Sequence, residues 1–214
     1  MIREIRDGKL YFDGCDTTEL AEKYGTPLYV ISETEIVNRF SRIKEEFTDK
    51  YPNTRAAYAC KAFCTLAMLK LCEREGMCID VVSGGELYTA IKAGFPAERI
   101  EFNGNNKLPE ELSAAIDYGI GRIIVDGIGE LELIEEICRE KNKTAKVLYR
   151  ITPGIKADTH DYIVTGKKDS KFGMPQDEEG LYREVKKALD SQYVEFLGFH
   201  FHICLLYTSD AADD

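Results

Sequence analysis

The feature that most limits this chain is a run of alternating strand-like and helix-like segments from residue 54 onward. Six short stretches, TRAAYACK, MCIDVV, RIEFNG, RIIVDG, AKVLYRITPG and VEFLGFHFHI, are apolar and rich in β-branched or aromatic residues. Between them, FCTLAMLKLCEREG, GGELYTAIKAG, PEELSAAIDYG, GELELIEEICREK and EEGLYREVKKALDS carry apolar residues three and four apart and predict helices. Repeated alternation of this kind needs a parallel sheet with right-handed crossovers, either doubly wound or closed into a barrel. A doubly wound nucleotide binder carries a glycine-rich phosphate turn after its first strand. Here that position reads AYACKAF, and neither G-x-G-x-x-G nor G-x-x-x-x-G-K-[ST] occurs anywhere. The expected fold class is α/β, an incomplete (β/α)8 TIM barrel with about six of its eight strands.

Ahead of this run, KLYFDGCD reads as a strand and turn, and TTELAEKYG as a helix capped by Thr17 or Thr18 and ending near Gly25. TPLYVIS is a β-rich run, and Ser32 opens a further helix with Glu35 as its capping-box partner. The organisation expected is therefore an N-terminal strand and helix segment over 1–31, the barrel over 32–203, and an atypical tail over 204–214. The tail, CLLYTSDAADD, supplies neither the turn nor the helix that should follow the last strand.

Charge and cysteine usage narrow the class further. With 28 basic and 38 acidic side chains the net charge is −10, which is the wrong sign for gripping nucleic acid. No apolar run approaches the roughly 18–20 residues of a membrane helix, and the opening MIREIRDGKLYF is no secretory signal. The seven cysteines form no C-x-x-C pair and sit mostly in apolar stretches, as small buried hydrophobes do. Neither their spacing nor a nearby histidine supports zinc. A cytoplasmic protein with no nucleic-acid, membrane or metal partner is expected.

Polar residues at the C-terminal ends of barrel strands point into the mouth where such folds keep their chemistry. Read in order, these are Lys61, Asp80 with Ser83, Asn103 with Asn105, Asp126, Arg150, and finally His200 and His202. Lys61 is either a solvated surface charge or an amine held against Cys60, Ala62 and Phe63, where apolar walls favour the neutral, nucleophilic form. Asp80 either caps the helix starting near Gly84 or faces Lys61 from the next strand. Arg150 ends an apolar run, so its charge calls for an anionic partner, structural or bound. His200 and His202 share one face of a strand; they serve as core residues, as two of the three ligands a metal would need, or as a flat surface for an aromatic ring. His160 is the third histidine. The polar segment TGKKDSKFGM could place Lys171 or Phe172 over the mouth.

Taken together, Tyr58-Ala-Cys-Lys61-Ala-Phe, Asp80-Val-Val-Ser-Gly-Gly-Glu86-Leu, Asn103-Gly-Asn-Asn-Lys107, Arg150-Ile-Thr-Pro-Gly154, Ser170-Lys-Phe-Gly173 and Gly198-Phe-His-Phe-His202-Ile resemble the diaminopimelate decarboxylase family in order and spacing. So does the opening Tyr24-Gly-Thr-Pro-Leu-Tyr29, and the resemblance runs across roughly residues 8 to 203. It implies a pyridoxal 5'-phosphate enzyme of the alanine-racemase-like barrel type that converts meso-diaminopimelate to lysine and CO2, a homodimer when full length. Residues 1–31 would then belong or lead to a β-domain. Lys61 matches the lysine that condenses with the cofactor aldehyde, His202 the histidine stacked on the ring, and Asp80, Arg150 and His200 polar groups of the pocket. Lys61 and His202 are the catalytic residues this implies, and Lys61, Asp80, Arg150, His200 and His202 the cofactor-binding ones.

The family follows its second histidine with Ile-Gly-Ser, whereas Ile203 here is followed by Cys204 and Leu205. The later phosphate loop, the acid at the pyridine nitrogen and the β-domain are also absent from the sequence, so weak cofactor binding and little activity are expected of the chain as it stands. Three other readings compete: a related arginine, ornithine or carboxynorspermidine decarboxylase, a non-catalytic pyridoxal-phosphate-binding barrel, and a metal-dependent hydrolase using the two histidines.

Overall fold

The computed structural model describes residues 2–152, 172–175 and 178–202. His160, Lys171, Ile203 and the 204–214 tail lie outside the described residues. The chain forms two compact units, one of residues 1–56 with 74–77, the other of residues 57–73 with 78–214.

The first unit opens with three antiparallel strands, β1 (Arg3–Arg6), β2 (Lys9–Phe12) and β3 (Cys15–Asp16), in that order. Asp-Gly turns join them, with positive φ at Asp7, Gly8, Asp13 and Gly14, which suits the twist of a two-residue hairpin. Helix α1 (Thr17–Tyr24) is capped by Asp16, not by Thr17 or Thr18 as expected. The Asp16 carboxylate accepts from the Thr18 and Glu19 amides, and Lys9 Nζ at 2.8 Å holds it in place. Helix α2 (Glu33–Ile43) does begin at Ser32, whose Oγ accepts from the Glu35 N–H at 3.0 Å and donates to Asp13 Oδ2 at 2.7 Å. The Glu35 carboxylate turns forward to Arg39 rather than closing a capping box. The run TPLYVIS forms no strand. Its β-branched and aromatic residues have no ladder partner among the described residues, and Tyr29 is 97% exposed.

The second unit carries the alternation the sequence announced. Strands β4 (Ala57–Ala59), β5 (Cys78–Val81), β6 (Ile100–Phe102), β7 (Arg122–Val125) and β8 (Ala145–Thr152) alternate with helices α3 (Leu66–Arg74), α4 (Gly84–Ala93), α5 (Pro109–Tyr118) and α6 (Glu130–Lys141). A two-residue β9 (Met174–Pro175), helix α7 (Glu178–Asp190) and β10 (Val194–His200) complete the series. The sheet runs β4-β5-β6-β7-β8-β10, all parallel, with β9 alongside β8. Each of these main strands lies beside the next in sequence and the order never reverses. A doubly wound sheet must reverse at its switch point, so this arc is part of a (β/α)8 barrel, as expected.

One face of the arc meets the helices. Ile79, Val81, Phe102, Ile123, Val125, Val147 and Tyr149 there are buried, opposite Leu69, Leu87, Leu112, Leu131 and Ile134. Burying each such side chain contributes roughly 1.5–3 kcal/mol. Cys60, Cys72, Cys78 and Cys138 are buried as small hydrophobes, as their surroundings suggested. The other face holds Asp80, Glu101 and Arg122, which are register partners across β5, β6 and β7. Among the described residues no helix is long and apolar enough to cross a membrane.

Candidate active site

The functional side chains sit at or just beyond the strand ends. Lys61 lies in a single 3-10 turn, Cys60–Ala62, directly after β4. Asp80 lies within β5 opposite Ala59 of β4 and Glu101 of β6. It does not cap α4; Ser83 does, its Oγ accepting from the Glu86 N–H. The structural reading of Asp80 as a cap is therefore excluded. Arg150 lies in β8, in register with His200 of β10.

How the histidines face the same side as Arg150 was not visible in the sequence. The β8–β10 ladder slips between Phe196 and Gly198, leaving Leu197 as an extra residue. Side chains alternate with period two, so one inserted residue exchanges the faces of everything beyond it. Phe196 packs against Tyr149 on the helix side, and after the slip Gly198 and His200 share the face of Leu148 and Arg150.

Lys61, Asp80, Arg150 and His202 come together in one cavity of about 300 Å³, with Val82, Asn103, Gly104, Asn105 and Phe172 completing its wall. His200 is not among the lining residues. It stands behind, its ring edge-on to His202 at 4.7 Å and its Nε2 at 3.4 Å from Asn103 Nδ2. Lys61 is exposed, at the rim rather than against the apolar walls expected from Cys60, Ala62 and Phe63. That expectation is corrected: one helical turn between β4 and α3 carries the side chain out beside polar groups, while Cys60 is the residue that turns inward, 1% exposed.

The electrostatics are set by burial. Asp80 is pushed up to about 7, chiefly by desolvation and then by Glu101, with the Asn103 amide and Lys61 opposing. His200 is pushed down to about 4 by burial, His202, Arg150 and Lys107. His202 is lowered by burial and by the cations Arg150 and Lys61. Arg150 is held by Asp126, 5% exposed, through a 3.3 Å contact to Oδ1, while Asp126 Oδ2 accepts from the Gly173 N–H at 3.0 Å. The guanidinium lies 4.4 Å from the centre of the Phe172 ring. Replacing Asp126 with alanine leaves a buried guanidinium unpaired and is expected to cost about 3–5 kcal/mol in urea unfolding. An Asp126→Leu/Arg150→Met double variant should recover most of that loss.

Three acids that sequence reasoning missed shape the strand ends. Glu86 Oε2 accepts from the Val82 N–H at 2.8 Å, Glu111 reaches the Leu108 and Gly84 amides, and Glu130 Oε2 accepts from the Asp126 N–H at 2.9 Å. Each stands in the first turn of its helix and reaches back to the loop that feeds it. The Ser83-x-x-Glu86 spacing was the available signal.

The residues present suit a phosphorylated pyridoxal group. Asp80 Oδ1, in the cavity wall, is buried with no hydrogen-bond partner among the described residues, and so is His200 Nδ1 behind it, so the cavity's carboxyl group is incompletely satisfied. Gly104 keeps the wall open: at φ +118°, an added Cβ would lie 3.2 Å from the Val82 carbonyl oxygen. The cavity offers an amine, a flat imidazole, a carboxyl group and a guanidinium. No cluster of three or more histidine, cysteine or acidic ligands suitable for a metal occurs among the described residues.

Comparison with known proteins agrees. The model of the family described as "Pyridoxal-dependent decarboxylase, pyridoxal binding domain" matches residues 33–210. Diaminopimelate decarboxylase of Bacillus subtilis (strain 168) is 49% identical over 201 residues, which is 94% of this chain and 46% of that protein. The namesake from Methanocaldococcus jannaschii is 43% identical over 204 residues, 94% and 47% of the two chains. A crystal structure of diaminopimelate decarboxylase from M. jannaschii with L-lysine superposes with a TM-score of 0.86 at 43% identity, covering 94% of this chain and 47% of that one. The chain spans about half the length of the curated relatives it matches. It belongs to the pyridoxal-dependent decarboxylases and carries their pyridoxal-binding domain.

Proposed function

We propose that this chain serves the decarboxylation of meso-diaminopimelate to lysine and CO2. The observation that carries the reading is the meeting of Lys61, Asp80, Arg150 and His202 in a single cavity. Relatives at 49% and 51% identity bearing the name diaminopimelate decarboxylase support the choice of substrate.

Lys61 would hold pyridoxal phosphate through its ε-amino nitrogen, with the His202 imidazole against the ring. Asp80 and Arg150 would supply opposite charges along the wall. When bound, the cofactor supplies an electron-accepting ring that takes up the electron pair left as CO2 departs. Lys61 Nζ, at the rim of the cavity, is placed to bring a proton to the carbon that loses its carboxylate. Asp80, facing that amine from the next strand, stabilises the nitrogen when it carries charge. Asp126 fixes the Arg150 guanidinium from behind, so that orientation rather than mobility governs its contact with an anionic group. A cytoplasmic location and a homodimeric assembly belong to the same proposal, in keeping with the acidic composition and the family resemblance.

The test is a chimera in which residues 33–202 of this chain replace the matching segment of the B. subtilis relative. It is expected to release CO2 and lysine from meso-diaminopimelate, and to lose both with Lys61→Ala. Turnover of ornithine or arginine in preference would overturn the substrate assignment. A folded chimera that binds the cofactor and releases CO2 from none of these amino acids would point to a non-catalytic binding domain.

A further inference from the structure

Beside the cavity lies a second charge pair, in which a buried lysine meets a glutamate that is 14% exposed. Lys107 follows β6, and its side chain is only 1% exposed, with Nζ 2.6 Å from Glu130 Oε1. The same nitrogen donates to the Gly104 carbonyl at 2.6 Å and lies 5.9 Å from the centre of the Phe102 ring. Glu130 opens α6, and its second oxygen accepts from the Asp126 N–H. From Asp126 the contacts continue to the Arg150 guanidinium and the Gly173 N–H. Gly104 and Arg150 both line the cavity, yet the three residues that connect them, Lys107, Glu130 and Asp126, line none of it.

Stability alone does not explain such a pair. Taking two ions out of water is costly, and apolar side chains of similar size often fill the same space as well or better. What the pair accomplishes is geometric. Gly104 takes a backbone conformation that few residues adopt, and a Cβ added to it would lie 3.2 Å from the Val82 carbonyl oxygen. The Lys107 ammonium, which lines none of the cavity, holds the Gly104 carbonyl oxygen at 2.6 Å. The acid that holds this ammonium also anchors the end of β7, and with it the carboxylate that aims Arg150.

We propose that Lys107 is a positioning residue: with Glu130 it sets the Gly104 peptide and, through Asp126, the Arg150 guanidinium, so that two sides of the pyridoxal phosphate pocket are held in one register. This rests on the pyridoxal-binding reading of the cavity. The experiment compares the 214-residue chain with Lys107→Met, Lys107→Met/Glu130→Gln and Lys107→Arg. It measures pyridoxal phosphate dissociation constants by absorbance, melting midpoints, and amide hydrogen exchange over residues 103–106.

The dissociation constant is expected to rise about tenfold in the single and double Met variants, with faster exchange at 103–106, and to recover substantially in Lys107→Arg. The double variant leaves no buried ion unpaired and so separates positioning from folding. If it folds and binds as the parent does, the proposal is overturned. If it fails to fold, the pair is a folding element and the proposal is overturned as well. Should the parent itself take up no pyridoxal phosphate, the underlying reading fails and this one with it. Equal binding by parent and variants removes this proposal alone.

Discussion

Replacing Lys61 with alanine is expected to abolish specific covalent capture of pyridoxal phosphate while leaving the fold intact. After incubation with the cofactor and borohydride reduction, peptide mapping of the parent should place the dominant pyridoxyl label on the fragment containing Lys61. In the variant that label should vanish, leaving only the scattered background of surface lysines. The prediction is sharp because Lys61 has so little structural work. It is exposed, and among the described residues it makes no hydrogen bond or ion pair. A surface substitution of this kind shifts stability by only about 0.5 kcal/mol. Its influence is electrostatic: its charge tends to lower both Asp80 and His202. Loss of the label without loss of melting temperature would separate function from fold at a single nitrogen. A dominant label on another lysine in the parent would remove the assignment.

What made this lysine legible was position rather than surroundings. Periodicity located each strand, and the residue just past each strand end could then be read as facing the mouth. That logic found Lys61, Asp80, Arg150 and His202, and the cavity brings them together. It failed where a local pattern depended on something distant. TPLYVIS has strand composition but no neighbouring strand to bond with, so it stays irregular. Asp16 displaced the threonines as the cap because Lys9, from another strand, holds its carboxylate in place. The extra residue at Leu197 leaves no mark in composition, although it decides which face the histidines take. The Lys107–Glu130 pair joins two segments separated by all of α5 and β7, and each charge taken alone reads as ordinary surface. Short-range signals therefore located the strand ends, while the devices that tune them arise only when the sheet assembles.

The Asp80→Asn variant should be more stable than the parent at pH 8 and no more stable at pH 4. Burial, then Glu101, holds the Asp80 carboxyl up to about 7, with Glu86 adding to the rise and Asn103 and Lys61 opposing it. Between roughly pH 4 and 7 the folded chain keeps a proton that the unfolded chain has already lost. Stability therefore falls as pH rises through that interval. At about 1.4 kcal/mol per unit, and discounted because Asp80 is only partly buried, the loss is about 2–4 kcal/mol. His200 works in the other direction: held down to about 4, it stays neutral in the folded chain while the unfolded chain takes up a proton below its ordinary value. That costs stability as pH falls, and His202, lowered by the same burial, adds to it. In the parent, the Asp80 and histidine contributions therefore oppose one another between pH 4 and 7. Removing the Asp80 titration exposes the histidine slope, so the variant gains at pH 8 and then loses stability steeply toward acid. Urea unfolding at pH 4, 5.5 and 8 reads this directly, and an equal gain at all three values would overturn it. The same substitution takes away the carboxylate opposite Lys61, so the stabilised chain should capture pyridoxal phosphate less well. A group kept at an energetic disadvantage inside a cavity, and improved for folding by its neutral isostere, is explained by what it does for a bound molecule rather than by what it does for the fold.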